Sequence, residues 1–335
     1  YRCTKRSITN ICKIWNYNVV LVYFYSFKIR KGALLDNDFI KPQAFHKYPV
    51  TRSGGMGSII CLIIFFYFYY LLYGKILYEY ILIGSSMFLI GFLDDLKISI
   101  KPLKRLLTMV ILLLILIFFL PIKISNVDIQ FLKFLMSSHL FSSIFVLLCF
   151  LFVINGANLI DGFNGLLSIN LLIVNVVLAY INLNSANQEF SFLIIGQIII
   201  LLIFLFFNFP YSKIFLGDSG AYLMGSLVAL NTIITNNLNP NISSFFFCIL
   251  LFYIFFEVFF SFFRKLTQNK SPIYPDEQHL HMLSYYKISS FYGKEKANFI
   301  NSIFVNLVYL IFITPGLYFI ESPNSVSYTH LRAHE

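Results

Sequence analysis

Charged side chains are scarce in this sequence of 335 residues. Only 12% of its residues are charged, against about 25% in soluble proteins, and 58% are hydrophobic. This composition argues against a soluble domain and indicates a chain that lies in a bilayer. Cysteine is scarce too, and the five cysteines form no close C-x-x-C pair, which argues against a cysteine metal or redox motif. Polar alternation is missing from the apolar runs, so a membrane β-barrel is disfavoured.

Three further features are missing. No basic stripe with interleaved base-stacking aromatics stands outside the apolar segments, so we expect no nucleic-acid partner. No internal repeat is evident, which weakens the interpretation as a transporter built from inverted repeats. No cleavable signal peptide is evident either.

Long apolar stretches dominate what is present. A hydrocarbon core about 30 Å thick needs about 20 apolar residues per helix, and the chain holds about ten such stretches. They predict an all-α, polytopic transmembrane helix bundle, with residues 1–321 as one domain and 322–335 as a polar tail that is disordered or foreign. The predicted spans are 15–29, 57–73, 76–93, 106–121, 140–154, 166–182, 191–207, 221–235, 243–263 and 299–319.

Basic residues orient the predicted bundle, because Lys and Arg in short loops mark the cytoplasmic side. The loops 28–52, 94–105 and 264–296 carry six, four and six of them, whereas the alternate loops are nearly bare. Four polar clusters fall on this predicted cytoplasmic face, and carboxylates beside a bilayer are costly unless they bind something. The clusters are Asp94-Asp95, Asn155–Leu166, Phe215–Gly220 and Pro275–His281.

The first cluster pairs two carboxylates with a basic run. Asp94 and Asp95 are adjacent, which raises the pKa of one of them and suits a proton acceptor. Lys101 and Lys104 follow closely and suit phosphate oxygens or anionic headgroups. The alternative is a solvated, charged helix end.

The second cluster spaces three polar residues at intervals of three. Asn155, Asn158 and Asp161 would share one face of a helical turn. Amide and carboxylate oxygens are ligands that suit Mg²⁺ rather than zinc. The alternative is an asparagine ladder that joins helices.

The last two clusters offer a carboxylate and two imidazoles. Asp218 lies between glycines, so a metal that carries a diphosphate could reach it, although Asp in a turn is also a common helix N-cap. His279 and His281 alternate, which places both rings on one side of an extended segment. They could donate to a phosphate, ligate a transition metal with Asp276, or lie on a surface loop.

The order and spacing of these clusters over residues 36–290 resemble the polyprenyl-phosphate N-acetylhexosamine-1-phosphate transferase superfamily. The pattern is most similar to the bacterial branch that begins O-antigen, enterobacterial common antigen or teichoic acid linkage units. His46 and the run Thr51–Gly55 resemble that family's loop before its second span. The sequence departs from the family pattern at Asn164, Glu277 and Met282.

This resemblance implies transfer of a sugar phosphate from a UDP-N-acetyl sugar to undecaprenyl phosphate or another polyprenyl phosphate, with release of UMP. It implies a bacterial inner-membrane enzyme with a cytoplasmic active site and Mg²⁺, which Mn²⁺ could replace; a homodimer is compatible with it. The implied metal ligands are Asp218 and Asn158. The implied catalytic residues are Asp94, Asp95 and Asp161. The implied substrate-binding residues are Asn155, Lys101, Lys104, His279 and His281.

Two alternatives stay open. The nearest is the phospho-N-acetylmuramoyl-pentapeptide transferase of peptidoglycan synthesis. The other, from a different class, is an ion-coupled transporter or flippase, whose acids should lie near the membrane midplane rather than at span ends.

Deleting residues 322–335 tests the assignment of the tail, which contains His330 and His334. Because this segment has no apolar stripe, we expect the truncated protein to keep the full UMP release of the intact chain. A large loss of activity in a truncated protein that still folds would contradict this expectation.

Overall fold

The computed structural model describes residues 19–23, 34–36, 49–98, 100–185, 187–269, 271 and 278–320, and it confirms the predicted all-helical architecture. Residues 19–23 are helical, and two short strands, β1 (Leu35–Asp36) and β2 (Val50–Thr51), precede the main helices. The helices are α1 (Gly54–Tyr73), α2 (Tyr78–Asp95), α3 (Pro102–Phe119), α4 (Gln130–Met136), α5 (His139–Ile160), α6 (Leu166–Asn184), α7 (Gln188–Asn208), α8 (Gly217–Leu238), α9 (Ser244–Leu250), α10 (Phe252–Thr267), α11 (Leu280–Tyr292) and α12 (Lys294–Ile320).

Six helices in the described part of the chain are long and apolar enough to cross a membrane: α1, α3, α5, α6, α7 and α12. The predicted span 243–263 is not one straight helix, because α9 and α10 meet at an angle of 71° around Leu251; together they would make a seventh span. The predicted count of ten therefore stays a prediction. The first predicted span lies mostly outside the described residues, as do His46, Asp276, Glu277 and the tail.

Helix α8 forms the centre of the bundle. Nearly all of its side chains are buried, and α1, α2, α5 and α6 pack around it, with α2 in the most extensive contact. Gln197 of α7 hydrogen-bonds to its Asn231. Its sequence is rich in Gly, Ser, Asn and Thr rather than in large apolar residues. A helix enclosed by other helices needs close packing and internal hydrogen bonds rather than a lipid-facing surface. This explains why it lacks the apolarity of the outer helices.

Glycine lets α2 approach α8 closely. A Cβ atom at Gly91 would lie 2.5 Å from the backbone carbonyl carbon and oxygen of Asp218, which is shorter than any tolerated contact. The contact brings the C-terminal end of α2 beside the first turn of α8. The polar clusters at these two helix ends are therefore adjacent in space.

A short strand-like pairing joins the segment before α1 to the segment before α8. β1 and β2 pair antiparallel, and Thr51 also forms a parallel bridge with Ile214. The backbone N–H of Phe215 donates to the carbonyl of Thr51 at 2.8 Å, and Gly54 N–H donates to the carbonyl of Phe215 at 3.0 Å. The segment that precedes α1 is thus fixed to the segment that precedes α8.

Replacing Gly91 with alanine tests the close approach of α2 and α8. We expect a loss of about 1–3 kcal/mol in unfolding free energy, because the added methyl group meets rigid backbone. Gly84→Ala, on the same helix, is the matched control, since its Cβ would meet side-chain methyl groups rather than backbone, those of Leu223 at 3.2 Å and Leu227 at 3.4 Å. Thermal unfolding in detergent measures both variants, and equal melting temperatures would contradict the packing argument.

Candidate active site

The carboxylate of Asp95 caps the N-terminus of α8 from the neighbouring helix α2. Its Oδ1 accepts the backbone N–H of Asp218 at 3.1 Å, and its Oδ2 accepts that of Ser219 at 2.9 Å. The first N–H groups of a helix have no partner within the helix and carry partial positive charge, so they stabilise a carboxylate. Asp95 is buried, and both of its oxygens are engaged here. This geometry gives it a positioning role beside the site.

Gly217 makes this cap possible. Its φ of +75° lies in the left-handed region, and a Cβ atom there would lie 2.7 Å from Oδ2 of Asp95. A side chain at this position would therefore strain the backbone and displace the carboxylate. The glycine before Asp218 is explained by this contact.

Arg105 draws two carboxylates from different helices together. Its Nη1 binds Asp94 at the end of α2, and the same atom lies 3.0 Å from Oδ2 of Asp218 at the start of α8. All three side chains are partly buried, with 20%, 26% and 21% of the side chains of Arg105, Asp94 and Asp218 exposed. Two carboxylates that share one cation form a site of strong negative potential.

Asn158 approaches this group through Tyr222. The guanidinium carbon of Arg105 lies 5.6 Å from the centre of the Tyr222 ring, and the Tyr222 hydroxyl accepts from Nδ2 of Asn158 at 3.3 Å. Because the amide nitrogen is used in this bond, the amide oxygen is the atom that remains to bind a ligand. Tyr222 lies one turn after Asp218 on α8, so Asn158 is close to the shared carboxylate site.

Arg52 lies between the carboxylates of Asp36 and Asp95. Its Nε and Nη2 donate to Oδ2 of Asp36 at 3.0 and 2.8 Å, and its Nη1 lies 3.7 Å from Oδ1 of Asp95. The pairing of β2 with β1 supports this arrangement, since Asp36 ends β1 and Arg52 follows β2. Arg52 thereby brings positive charge to the buried carboxylate of Asp95.

Asp161 follows the last residue of α5, and the residue is half-buried. Burial raises its pKa to about 7, against an ordinary value of 3.8; the nearby Arg52 opposes this rise, and the negative charge of Asp95 adds to it. A carboxyl group with a pKa near 7 exchanges a proton readily at neutral pH. Such perturbed groups concentrate at functional sites.

The turn after Asp161 is held by amide side chains. The backbone N–H of Asn164 donates to Oδ1 of Asn298 on α12 at 2.8 Å, and Asn164 Nδ2 donates to the carbonyl of Pro210 at 3.0 Å. Gly165 N–H donates to Oδ1 of Asn208 at 2.7 Å. A carboxylate at position 164 could not donate to Pro210, so the departure from the family pattern at Asn164 has a structural use.

The two histidines meet at a buried glutamate. His279 Nδ1 lies 3.1 Å from Oε2 of Glu257, and His281 Nδ1 lies 3.0 Å from its Oε1. The rings stack with centres 5.4 Å apart and planes 10° from parallel. The Nε2 atom of His281 lies 4.0 Å from where a Cβ of Gly162 would be, so the histidine segment adjoins the Asp161 turn.

The remaining predicted residues lie around this group. Lys101 and Lys104 are exposed at the start of α3, within the turn that also carries Arg105. Asn155 is partly buried, and its amide donates to the carbonyl of Leu151 in its own helix at 2.8 Å. The structure thus gives the direct contact with Asp94 and Asp218 to Arg105, whereas both lysines lie at the rim. Their substrate-binding roles stay predictions.

The oxygen donors around Arg105 are of the kind that suits Mg²⁺ rather than a transition metal. Among the described residues, no group of three or more His, Cys, Asp and Glu side chains is arranged to hold a metal. Mg²⁺ often binds one or two carboxylates and completes its shell with water and substrate phosphates. Asp218 and Asp94, with the amide oxygen of Asn158 nearby, are hard-oxygen donors of this kind, and the positive charge beside them in the structure is that of Arg105.

Some site residues were not predicted from the sequence. Glu257 is the only charged residue of the apolar run 243–263, and a lone acid in a span is itself a signal of function. Tyr222 and Asn298 gave no such signal, because single polar residues in a helix usually serve packing. Their contacts with the site depend on helices that are distant in sequence.

These contacts define a multi-pass helical membrane protein that gathers several carboxylates at one end of its bundle. The family profile described as Glycosyl transferase family 4 matches residues 77–236. This range contains both halves of the shared carboxylate site and the Asp161 turn.

Three relatives support the same assignment. An undecaprenyl-phosphate α-N-acetylglucosaminyl 1-phosphate transferase from Thermotoga maritima is 28% identical over 82% of this chain and 80% of its own length. A phospho-N-acetylmuramoyl-pentapeptide-transferase from Dictyoglomus turgidum is 30% identical over 68% of this chain and 73% of its own. A phospho-N-acetylmuramoyl-pentapeptide-transferase from Clostridium perfringens is 32% identical over 47% of this chain and 51% of its own length.

The chain therefore belongs to glycosyl transferase family 4, the superfamily of polyprenyl-phosphate sugar-phosphate transferases. The resemblance inferred from the polar clusters is confirmed. The protein is a multi-pass membrane protein of an enzyme family, and its relatives are named for undecaprenyl phosphate and for muramoyl-pentapeptide transfer.

The raised pKa of Asp161 predicts a pH-dependent stability. Because the folded state holds this proton more tightly than the unfolded chain, its contribution to stability is full below pH 4 and is lost as pH rises through 7. Asp161→Asn has no carboxyl group to ionise and avoids this loss. We therefore expect its melting temperature, relative to that of the native protein, to rise between pH 5 and pH 8.

Glu79→Gln is the control for this measurement, since it removes a carboxylate from the opposite end of α2. Differential scanning fluorimetry in detergent, without nucleotide, gives the melting temperatures. A difference between Asp161→Asn and the native protein that does not change with pH would contradict the raised pKa.

Proposed function

We propose that this protein transfers an N-acetylhexosamine 1-phosphate from a UDP-sugar to undecaprenyl phosphate, with release of UMP, at the cytoplasmic face of a bacterial inner membrane. The observation that carries the proposal is the meeting of Asp94 and Asp218 at one cation, beside Asn158 and the Asp161 turn. The Thermotoga relative supports the acceptor and the sugar, since its name states both. The product would begin a cell-envelope glycan.

A Mg²⁺ ion held by Asp218 and the amide oxygen of Asn158, with Asp94 close by, would neutralise charge on the diphosphate of the sugar nucleotide. The protein's own part is to place the acids. Asp95 fixes the first turn of α8, and this turn holds the carboxylate of Asp218 against α2. A site fixed in this way needs little rearrangement when the substrate enters.

The acceptor phosphate approaches the same group. An oxygen of the lipid phosphate attacks the β-phosphorus, the bond from that phosphorus to the bridging oxygen breaks, and UMP leaves with that oxygen. Asp94 or Asp161 would take any proton carried by the attacking phosphate, and Asp161 has a pKa suited to neutral pH. Asn155, Lys101 and Lys104 would attract phosphate oxygens from the rim of the site.

His279 and His281 would contact the diphosphate or the sugar from the side of the Asp161 turn. Their rings are buried, parallel and held by Glu257, so both present a fixed edge. The distance of 4.0 Å between His281 Nε2 and the Cβ position of Gly162 puts this edge beside the Asp161 turn. With Nδ1 of each ring facing Glu257, Nε2 is the nitrogen on the opposite edge, where a neutral imidazole can accept a hydrogen bond from a sugar hydroxyl.

A second candidate reaction is phospho-N-acetylmuramoyl-pentapeptide transfer. It is favoured by the relatives from Dictyoglomus and Clostridium, which carry that name. Both reactions use the same phosphoryl chemistry and differ in the sugar nucleotide. An ion-coupled transporter is less well supported, because the acids of this site lie at the ends of α2 and α8 rather than at mid-helix.

Measuring UMP release from a panel of UDP-sugars tests the proposal. The purified protein in detergent receives undecaprenyl phosphate with UDP-GlcNAc, UDP-GalNAc or UDP-MurNAc-pentapeptide, with Mg²⁺ or with EDTA. We expect lipid-dependent and Mg²⁺-dependent release from an N-acetylhexosamine donor. Asp218→Asn should lower kcat about 100-fold or more, since a lost metal contact is worth several kcal/mol in the transition state.

Glu79→Gln serves as the control for a lost carboxylate, because this residue lies on α2 at the end opposite Asp94. Release only from UDP-MurNAc-pentapeptide would replace the proposed donor with that of the second candidate. Release that is unaffected by EDTA, or by Asp218→Asn, would contradict the role given to the metal.

A further inference from the structure

The buried Glu257 lies where an isolated charge would be costly. It is fully buried in α10, among aromatic and aliphatic side chains, and each of its two oxygens faces one histidine nitrogen, at 3.1 and 3.0 Å. A buried carboxylate is tolerated when it is paired and hydrogen-bonded. The two imidazoles satisfy this requirement, and the hydroxyl of Tyr253 also lies 3.4 Å from Nδ1 of His281.

This contact also selects the tautomer of each ring. An ionised carboxylate only accepts hydrogen bonds, so each Nδ1 that faces Glu257 must carry a proton. The Nε2 atoms, on the opposite edges, then point away from Glu257. A hydrogen bond at one ring nitrogen of a histidine commonly fixes the tautomer, and so decides whether the other nitrogen donates or accepts.

The backbone of the histidine segment has its own support. Asn301 on α12 donates to the carbonyl of His281 at 2.8 Å, and its Oδ1 accepts from Ser284 at 2.7 Å. Phe163, from the Asp161 turn, packs edge-on against the His281 ring with centres 5.7 Å apart. The backbone path therefore depends on α12, while the proton positions on the rings depend on Glu257.

We propose that Glu257 is a positioning residue, which fixes the tautomer and ring orientation of His279 and His281 so that their Nε2 edges, as hydrogen-bond acceptors, face the site that receives the sugar of the sugar nucleotide. The identity of that ligand rests on the proposed function. The geometric part does not, because it concerns only contacts within the chain.

The tautomers are measured directly by nitrogen NMR of the full chain in detergent, labelled with ¹⁵N-histidine. His279→Gln and His281→Gln variants assign the two signals. We expect a protonated Nδ1 in both rings of the native protein and loss of this state in both rings of Glu257→Ala. In Glu257→Gln one ring should change, because an amide offers one acceptor and one donor. Unchanged tautomers in Glu257→Ala would overturn the proposal.

Enzyme kinetics test whether the orientation of His279 and His281 by Glu257 supports the use of the UDP-sugar. We expect Glu257→Gln to reduce kcat/KM for the UDP-sugar about 10- to 100-fold, the usual effect of losing an orienting partner, and Glu257→Asp to recover part of it. Ser261→Ala, which changes another buried polar residue of α10, should keep native kinetics. A Glu257→Gln protein with native tautomers and native kcat/KM would show that Glu257 serves only packing.

The two parts of the experiment fail separately. If the native protein releases no UMP from any donor, the proposed function is wrong, while the tautomer measurement still decides the role of Glu257. If the native protein is active and the tautomers do not respond to Glu257→Ala, the positioning role is wrong and the proposed function stands.

Discussion

The hydrogen bonds from the first turn of α8 to the carboxylate of Asp95 are the contacts on which the rest of the site depends. They join the end of α2 to the start of α8, and the close approach at Gly91 and the left-handed Gly217 exist to allow them. A helix N-terminus attracts negative charge, so the cap is favourable even though it buries a carboxylate. Asp218 then meets Asp94 because its backbone is already fixed.

The fold and the chemistry place opposite demands on the central helix. To hold the site, α8 must be surrounded by other helices, and its small and polar residues make that packing possible. Its partners make up for the lost apolarity with buried hydrogen bonds such as those of Asn231 with Asn175 and Gln197, at 2.9 and 2.8 Å. The outer helices provide the lipid-facing surface instead.

Much of this arrangement was predictable from the sequence, since apolar runs define helices and polar clusters at their ends define one face of the bundle. The break between α9 and α10 was not, because both halves are equally apolar. The sequence pointed to Lys101 and Lys104, whereas Arg105 makes the contact; a helix turn decides which neighbouring cation faces inward, and composition does not. Glu257 was visible as a lone acid, but its pairing with two histidines more than 20 residues away depends on tertiary structure.

By capping α8, Asp95 would prepare the carboxylate pair of Asp94 and Asp218 to receive a divalent cation. Titration with Mn²⁺ followed by electron paramagnetic resonance, in the presence of UDP-GlcNAc, measures this directly on the native protein, Asp95→Asn and the control Glu79→Gln. We expect saturable Mn²⁺ binding in the native protein and in the control, and about tenfold weaker binding in a folded Asp95→Asn protein, since about 1.4 kcal/mol of preorganisation corresponds to a factor of ten. Equal Mn²⁺ affinity in all three proteins would contradict it.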